Sequence, residues 1–224
     1  PNTFDGLVLD TKNIPDTSIR LAYLARQKLR DHTESHSILM YGDSNSSSAH
    51  NPQWSENDDT ATHRGLTYSR LVANGIDTDA ALITGDIHNY SITGLKLDAS
   101  FYAVPELISQ AMGEVNYQVS FNEKLSIIPG IRYIRQFDNG AGEIGGASYL
   151  GHLAGKTGIV DGYKEADSLD SQMIAVRLVA EYNKYCINLG YSQVFDEADL
   201  ITPWRSFPTA GYTRSMAQYN WRAN

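Results

Sequence analysis

Period-two alternation, rather than the 3.6-residue period of a helix, runs through most of this chain. Between Thr17 and Arg26, Ile19, Leu21, Tyr23 and Ala25 share one face, with Ser18, Arg20, Ala22 and Arg26 on the other. Leu95, Leu97, Ala99, Phe101 and Ala103 oppose Lys96, Asp98, Ser100 and Tyr102. Val115, Tyr117, Val119 and Phe121 oppose Glu114, Asn116, Gln118 and Ser120, and Ile174, Val176, Leu178, Ala180 and Tyr182 oppose Ala175, Arg177, Val179 and Glu181. Tyr185, Ile187, Leu189 and Tyr191 oppose Cys186, Asn188, Gly190 and Ser192. Strands are therefore predicted over 4–11, 17–27, 79–92, 95–104, 107–121, 125–137, 171–183 and 185–196, with a ninth starting at Tyr212. Two are less clean. In 125–137, Ile128 and Ile134 fall beside Arg132 on the polar side, and 171–182 is apolar enough on both faces to leave a helix open.

Short and long connections alternate. Turn chemistry closes the pairs at Asn13-Ile-Pro-Asp16, Thr93-Gly94, Asn122-Glu-Lys124 and Asn183-Lys184. Long polar stretches at 28–78, 138–170 and 197–215 separate them, the Pro105-Glu106 corner being the exception. A soluble sandwich has no reason to sort its loops by parity. An up-and-down barrel across a bilayer does, with short turns on one side and long extracellular loops on the other. The strand lengths also match the ~9–11 residues that cross hydrocarbon at a tilt. The pattern thus predicts an all-β fold, an antiparallel up-and-down transmembrane β-barrel, with residues 1–224 belonging to one barrel domain and eight or nine strands visible. The uncharged face then meets lipid and the polar face lines water.

Composition narrows the partners. Tyr (14) outnumbers Phe (6) and Trp (3) combined, a strand-favouring palette. Acidic residues (26) exceed basic ones (18), and no Lys/Arg run interleaves with aromatics, so nucleic acid is not an expected partner. The single Cys186 makes no internal disulfide and no multi-cysteine metal site. No apolar run approaches the ~18–20 residues of a spanning helix, which says nothing of a barrel.

Several stretches carry a family likeness. "FDGLVLDTKNIPDTSIRLAYLARQ" resembles the strand–turn–strand of the OprD-type outer-membrane porins, where an F-x-G-x-V-L-x-N-K-x-I-P-x-T segment recurs. "PGIRYIRQFDNGAGEIGGASYLG" and the stretch from "DSQMIAVRLVAEY" to "SMAQYNW" are similar to later strands of that family, in the same order. The resemblance implies a larger barrel of about eighteen strands in the bacterial outer membrane. It also implies passive diffusion of small, often carboxylate-bearing solutes, inward-folded loops, a monomer or homotrimer, and no catalysis. The chain lacks the family's leader, its first strands and a terminal aromatic residue, so it is expected to be an internal piece of a longer protein.

The sharpest candidates for function are charges on the faces assigned inward: Arg20, Arg26, Lys96, Arg132 and Arg177, opposed by Asp98, Glu114 and Glu181. Ladders of charge in a channel set ion preference and pass a carboxylate between successive arginines. Tyr23, Tyr117, Tyr133, Tyr182, Tyr185 and Tyr191 are read near strand ends, where interfacial girdles use amphipathic rings.

Other signals are weaker. "SILMYGDSN" resembles the opening of the GDSL/SGNH hydrolases, with Ser44 as nucleophile, but no D-x-x-H follows near the C-terminus. His32 and His36, with His50 and His63 nearby, lack an H-E-x-x-H base. Glu56, Asp58 and Asp59 offer oxygen ligands for Ca²⁺ in an outer loop, without an EF-hand register. No other cofactor is expected. The glycine-rich 139–151 has no Gly-Lys-Ser/Thr and reads as a loop. A serine hydrolase using Ser44 and a soluble β-rich binding module stand as alternatives to the porin.

Overall fold

The alternating segments fold as one antiparallel sheet. The computed structural model describes residues 3–28, 35, 37–38, 68–144, 168–198, 200 and 212. Its strands are β1 (Thr3–Thr11), β2 (Thr17–Lys28), β3 (Leu82–Asn89), β4 (Leu95–Val104), β5 (Ile108–Tyr117), a two-residue β6 (Val119–Ser120), β7 (Leu125–Asp138), β8 (Ser171–Tyr182) and β9 (Tyr185–Val194), with one short helix, α1 (Tyr68–Ala73), between β2 and β3. The sheet order is β1-β2-β3-β4-β5-β7-β8-β9, with β6 paired to β7, so each long strand lies beside its neighbour in the chain. This is the up-and-down meander that the connection lengths required. Within the described residues the sheet is open, with β1 and β9 at its edges.

The strand expected at 171–183, where a helix was left open, is a strand over Ser171–Tyr182, its apolar content on both faces reflecting an inward apolar patch rather than a helix. The predicted 107–121 strand breaks at Gln118, whose N–H leaves the ladder and donates to Gly94 O at 2.7 Å. Gly94 sits at φ 80°, and a Cβ there would stand 2.8 Å from Gln118 O, so the turn demands glycine. The ninth strand expected from Tyr212 onward lies outside the described residues, apart from Tyr212 itself, which is buried in a turn.

The two faces of the sheet are inverted relative to a protein folded in water. Asp98, Ser100, Gln110, Glu114, Asn116, Gln136 and Ser171 are buried, whereas Leu97, Phe101, Val115, Ile131, Val176, Leu178 and Leu189 are exposed. Charged and amide groups are almost never buried without partners, and a broad exposed apolar face is untenable in water. A bilayer outside and water inside reconcile both. All six tyrosines read as girdle residues are exposed. Tyr117, Tyr182 and Tyr185 do stand at strand ends; Tyr23, Tyr133 and Tyr191 lie further in, where a phenol must rely on local partners, as Tyr133 does by donating to Gln172 Oε1 at 2.7 Å.

At the loop end the inner face becomes apolar. Leu24, Leu82, Val104 and Ile108 from four strands pack with Leu71 of α1 and with Ile38, Leu107, Ala141, Leu169 and Ala198 from the connections. Buried polar side chains hold those connections down: Gln27 donates to Ile38 O, Gln136 Nε2 to Leu169 O at 2.5 Å, and Ser171 Oγ to Ala198 O at 2.6 Å. Each bond satisfies a group that burial would otherwise penalise by about 1–3 kcal/mol.

Candidate pore-lining site

Strand register places the polar side chains in transverse rows. Successive Cα partners run Ser18–His88–Asp98–Glu114–Arg132–Ala175–Ser192 across six interstrand ladders from β2 to β9. Along that row His88 Nδ1 meets Asp98 Oδ1, and Arg132 Nη2 meets Glu114 Oε2, both in very short contacts. Arg132 Nε adds a second bond to the same carboxylate oxygen at 2.7 Å, and the side chains of Glu114 and Arg132 are only 7% and 12% exposed. A pair so desolvated holds only because its bonding capacity is filled on several sides.

The adjacent row, Lys96–Asn116–Gly130–Arg177–Gly190, supplies that filling. Asn116 Nδ2 donates to Glu114 Oε1 at 2.7 Å, and Asn116 Oδ1 accepts from Arg177 Nη2 at 2.6 Å and Nε at 3.1 Å. Arg177 Nη2 also stands 3.7 Å from Glu114 Oε1, and Lys96 Nζ 3.2 Å from Asp98 Oδ2. Gly130 leaves the room: a Cβ there would lie 2.4 Å from Asn116 Oδ1. Arg132 and Arg177 thus share one carboxylate between two guanidiniums.

Tyr212 covers both. Its ring centroid lies 4.7 Å from the Arg132 guanidinium carbon and 4.8 Å from that of Arg177. Below the ring, Ile134, Met173 and Ala175 form an apolar patch with Met112 and Val194. These apolar neighbours explain why Ile134 falls beside Arg132 on the polar side. Burial first, then the negative charge of Glu114, pushes the Tyr212 phenol up to about 12, so it stays neutral.

The remaining candidates separate. Arg20 heads a third row with Asp10 and Asp86 as Cα partners, and its Nε bonds Asp10 Oδ1 at 2.6 Å in the open. Asp86 also accepts from Tyr102 Oη at 3.1 Å. Arg26 leaves the inner row that strict alternation assigned to it. The β1–β2 register slips between Asp5 and Gly6, with Gly6 opposite Leu24 and Asp5 opposite Arg26, so Ala25 is the extra residue. The slip flips the faces beyond it. Gln27 becomes the buried residue, and Arg26 is exposed, donating to Ser35 O at 3.3 Å. Glu181, near the turn end of β8, is exposed and accepts from Ser126 Oγ at 3.0 Å.

Ser44, the four histidines at 32, 36, 50 and 63, and the acidic Glu56, Asp58 and Asp59 lie outside the described residues. The hydrolase alternative called for an α/β fold, and the described residues form an antiparallel sheet instead. Alternation by two, extended to β3, would have found His88 and Asp86, which share parity with Thr84. Tyr212 had no such signal, because its place depends on a connection folding back onto the sheet.

A meander of long strands, polar and charged within and apolar without, defines part of the wall of a transmembrane β-barrel. Solved structures similar to it are outer-membrane porins of the Occ/OprD class. OccK8 (OprE) of Pseudomonas aeruginosa superposes with a TM-score of 0.61 at 14% identity, over 89% of this chain and 43% of that one. Pseudomonas aeruginosa OpdQ gives 0.57 at 12% identity, over 91% and 44%. Acinetobacter baumannii OccAB2 gives 0.56 at 20% identity, over 87% and 37%. The chain therefore spans less than half the length of these structures, and what it shares with them is the fold. No family model and no curated protein sequence matches the chain.

Proposed function

We propose that the full protein is a bacterial outer-membrane porin and that this chain builds part of its wall, in one barrel domain with the long connections facing outward. Small solutes diffuse through passively, with no catalytic step. The observation that carries this reading is the inverted sheet: Asp98 and Glu114 buried on one face, Leu97 and Val115 exposed on the other, one residue away. The fold shared with the Occ channels supports it.

We further propose a preference for anions bearing a carboxylate. Lys96, Arg132 and Arg177 face Asp98 and Glu114 within two adjacent rows, leaving one excess positive charge before His88 is counted. Arg20, the most exposed of these guanidiniums, stands on the same face in a row that also holds Asp10 and Asp86. Fixed donors of this kind steer anions and offer bidentate partners to a carboxylate.

The test is planar-bilayer recording of the full-length protein. Wild type should give stepwise conductance. Arg177→Ala and Arg20→Ala should lower the anion-to-cation permeability ratio, by up to about five-fold for a charge worth ~1 kcal/mol at water-like dielectric. Folded, inserted protein without stepwise current would refute the porin reading; unchanged ratios in both variants would remove the anion preference alone.

A further inference from the structure

Tyr212 lies on the inner face of the wall over the two guanidiniums that share Glu114. Three independent observations locate it. Its ring stacks on Arg132 and Arg177 at nearly equal distances, 4.7 and 4.8 Å. Its side chain is sunk against Ile134, Met173 and Ala175 and the residue is only 6% exposed. Its backbone rests directly on the wall at Gly190 of β9, where an added Cβ would stand 2.0 Å from Tyr212 O and 2.7 Å from its carbonyl carbon. Gly190 is the Cα partner of Arg177, so the bare position lies beside the arginine that the ring covers. A side chain at 190 and a backbone at 212 exclude one another.

Resting on the porin reading above, we infer that Tyr212 is a built-in cover: its ring occupies the guanidinium faces of Arg132 and Arg177 and so sets how far those arginines act on permeating anions, with Gly190 as its seat. A cation–π contact is attractive but leaves the guanidinium charge in place. With the ring seated, the arginines contribute field but their planar faces are spoken for. With it gone, the same arginines, still anchored by Glu114 and Asn116, present themselves to water and to a carboxylate. The bonds to Glu114 and Asn116 come from β5 and do not depend on the ring.

The full-length protein is recorded in planar bilayers under a KCl gradient, as wild type and as Tyr212→Phe, Tyr212→Ala and Gly190→Ala. Phe keeps the ring and should match wild type in conductance and reversal potential. Ala at 212 should raise the anion-to-cation permeability ratio by about two-fold and increase the unitary conductance. Gly190→Ala, which keeps the ring but displaces its seat, should shift both in the same direction. If Tyr212→Ala fails to fold, Gly190→Ala decides alone. Wild-type current with variants that fold, even less stably, yet permeate identically would overturn the cover. Absence of wild-type current would instead sink the porin reading on which it rests.

Discussion

The carboxylate of Asp138, the last residue of β7, accepts the backbone N–H of Leu169 at 2.8 Å, joining the two ends of the connection that leads to β8. The same carboxylate accepts from Gly140 N at 2.8 Å and Gly142 N at 3.1 Å, while Asp138 N–H donates to Asp170 Oδ1 at 2.8 Å. One side chain therefore closes the neck of a long connection by filling backbone donors on both sides of it.

Replacing Asp138 with Ala leaves those partly buried N–H groups without their acceptor, at about 1–3 kcal/mol for the set that water does not re-satisfy. Limited proteolysis in detergent should cut faster between residues 139 and 168 in Asp138→Ala than in wild type. Asp138→Asn, which keeps one acceptor oxygen, should fall between them. Equal cutting in all three would mean that the neck is held by the apolar cluster around Leu107 and Leu169 instead.

Glu114 is the hub of the charged rows, bonded to Arg132 and Asn116 and near Arg177. Glu114→Gln should destabilise the folded barrel by about 3–5 kcal/mol, the cost of leaving a buried partner charge uncompensated. The double variant Glu114→Gln/Arg132→Met should recover much of that loss, since both charges are then gone. Urea denaturation in detergent or liposomes reads the cycle. Additive losses would show that the two residues do not act as a pair.

The wall's inversion makes neighbouring residues behave oppositely. Leu178 points out and Val179 in, one position apart on β8. Leu178→Arg puts a guanidinium into lipid at about 2–4 kcal/mol near the midplane. Val179→Arg meets water beside Asn188, its Cα partner on β9. Leu178→Arg should therefore lower the yield of heat-modifiable, folded barrel while Val179→Arg leaves it near wild type. Equal yields would place both residues in the same environment and undo the face assignment.

That face assignment was legible in the sequence because side-chain direction alternates with a period of two and a bilayer enforces it. Leu97 against Asp98 and Val115 against Glu114 needed no other information. The order of the strands was equally legible, since short turns leave a strand nowhere to go but beside its predecessor. Partnerships between strands were not. Register decides that Glu114 faces Arg132 rather than Gly130 or Ile134 on the same face of β7, and register depends on where a turn ends and where a bulge falls. The seat of Tyr212 was out of reach altogether, because it rests on a contact between residues 190 and 212 made by chain folding over the sheet.

The bulge at Ala25 gives the clearest separation of pattern from register. Strict alternation puts Arg20 and Arg26 on the same face, six residues apart. The structure keeps Arg20 in a row with Asp10 and Asp86 but sets Arg26 opposite Asp5, beyond the slip, with Gln27 buried beside it. In the full-length protein, Arg26→Ala should leave the anion-to-cation permeability ratio within error of wild type, because its charge no longer belongs to the inner row. Arg20→Ala should lower that ratio. Inserting one alanine between Asp5 and Gly6 gives Ala25 a partner on β1; this should restore unbroken alternation, return Arg26 to the inner face and turn Gln27 outward, with the loss of the bond from Gln27 to Ile38 O. In that insertion background Arg26→Ala should change the ratio where in wild type it does not. A change of the same size with and without the insertion would mean that Arg26 faces water in both registers, and that the bulge serves only to fit Gln27 beneath the apolar cluster.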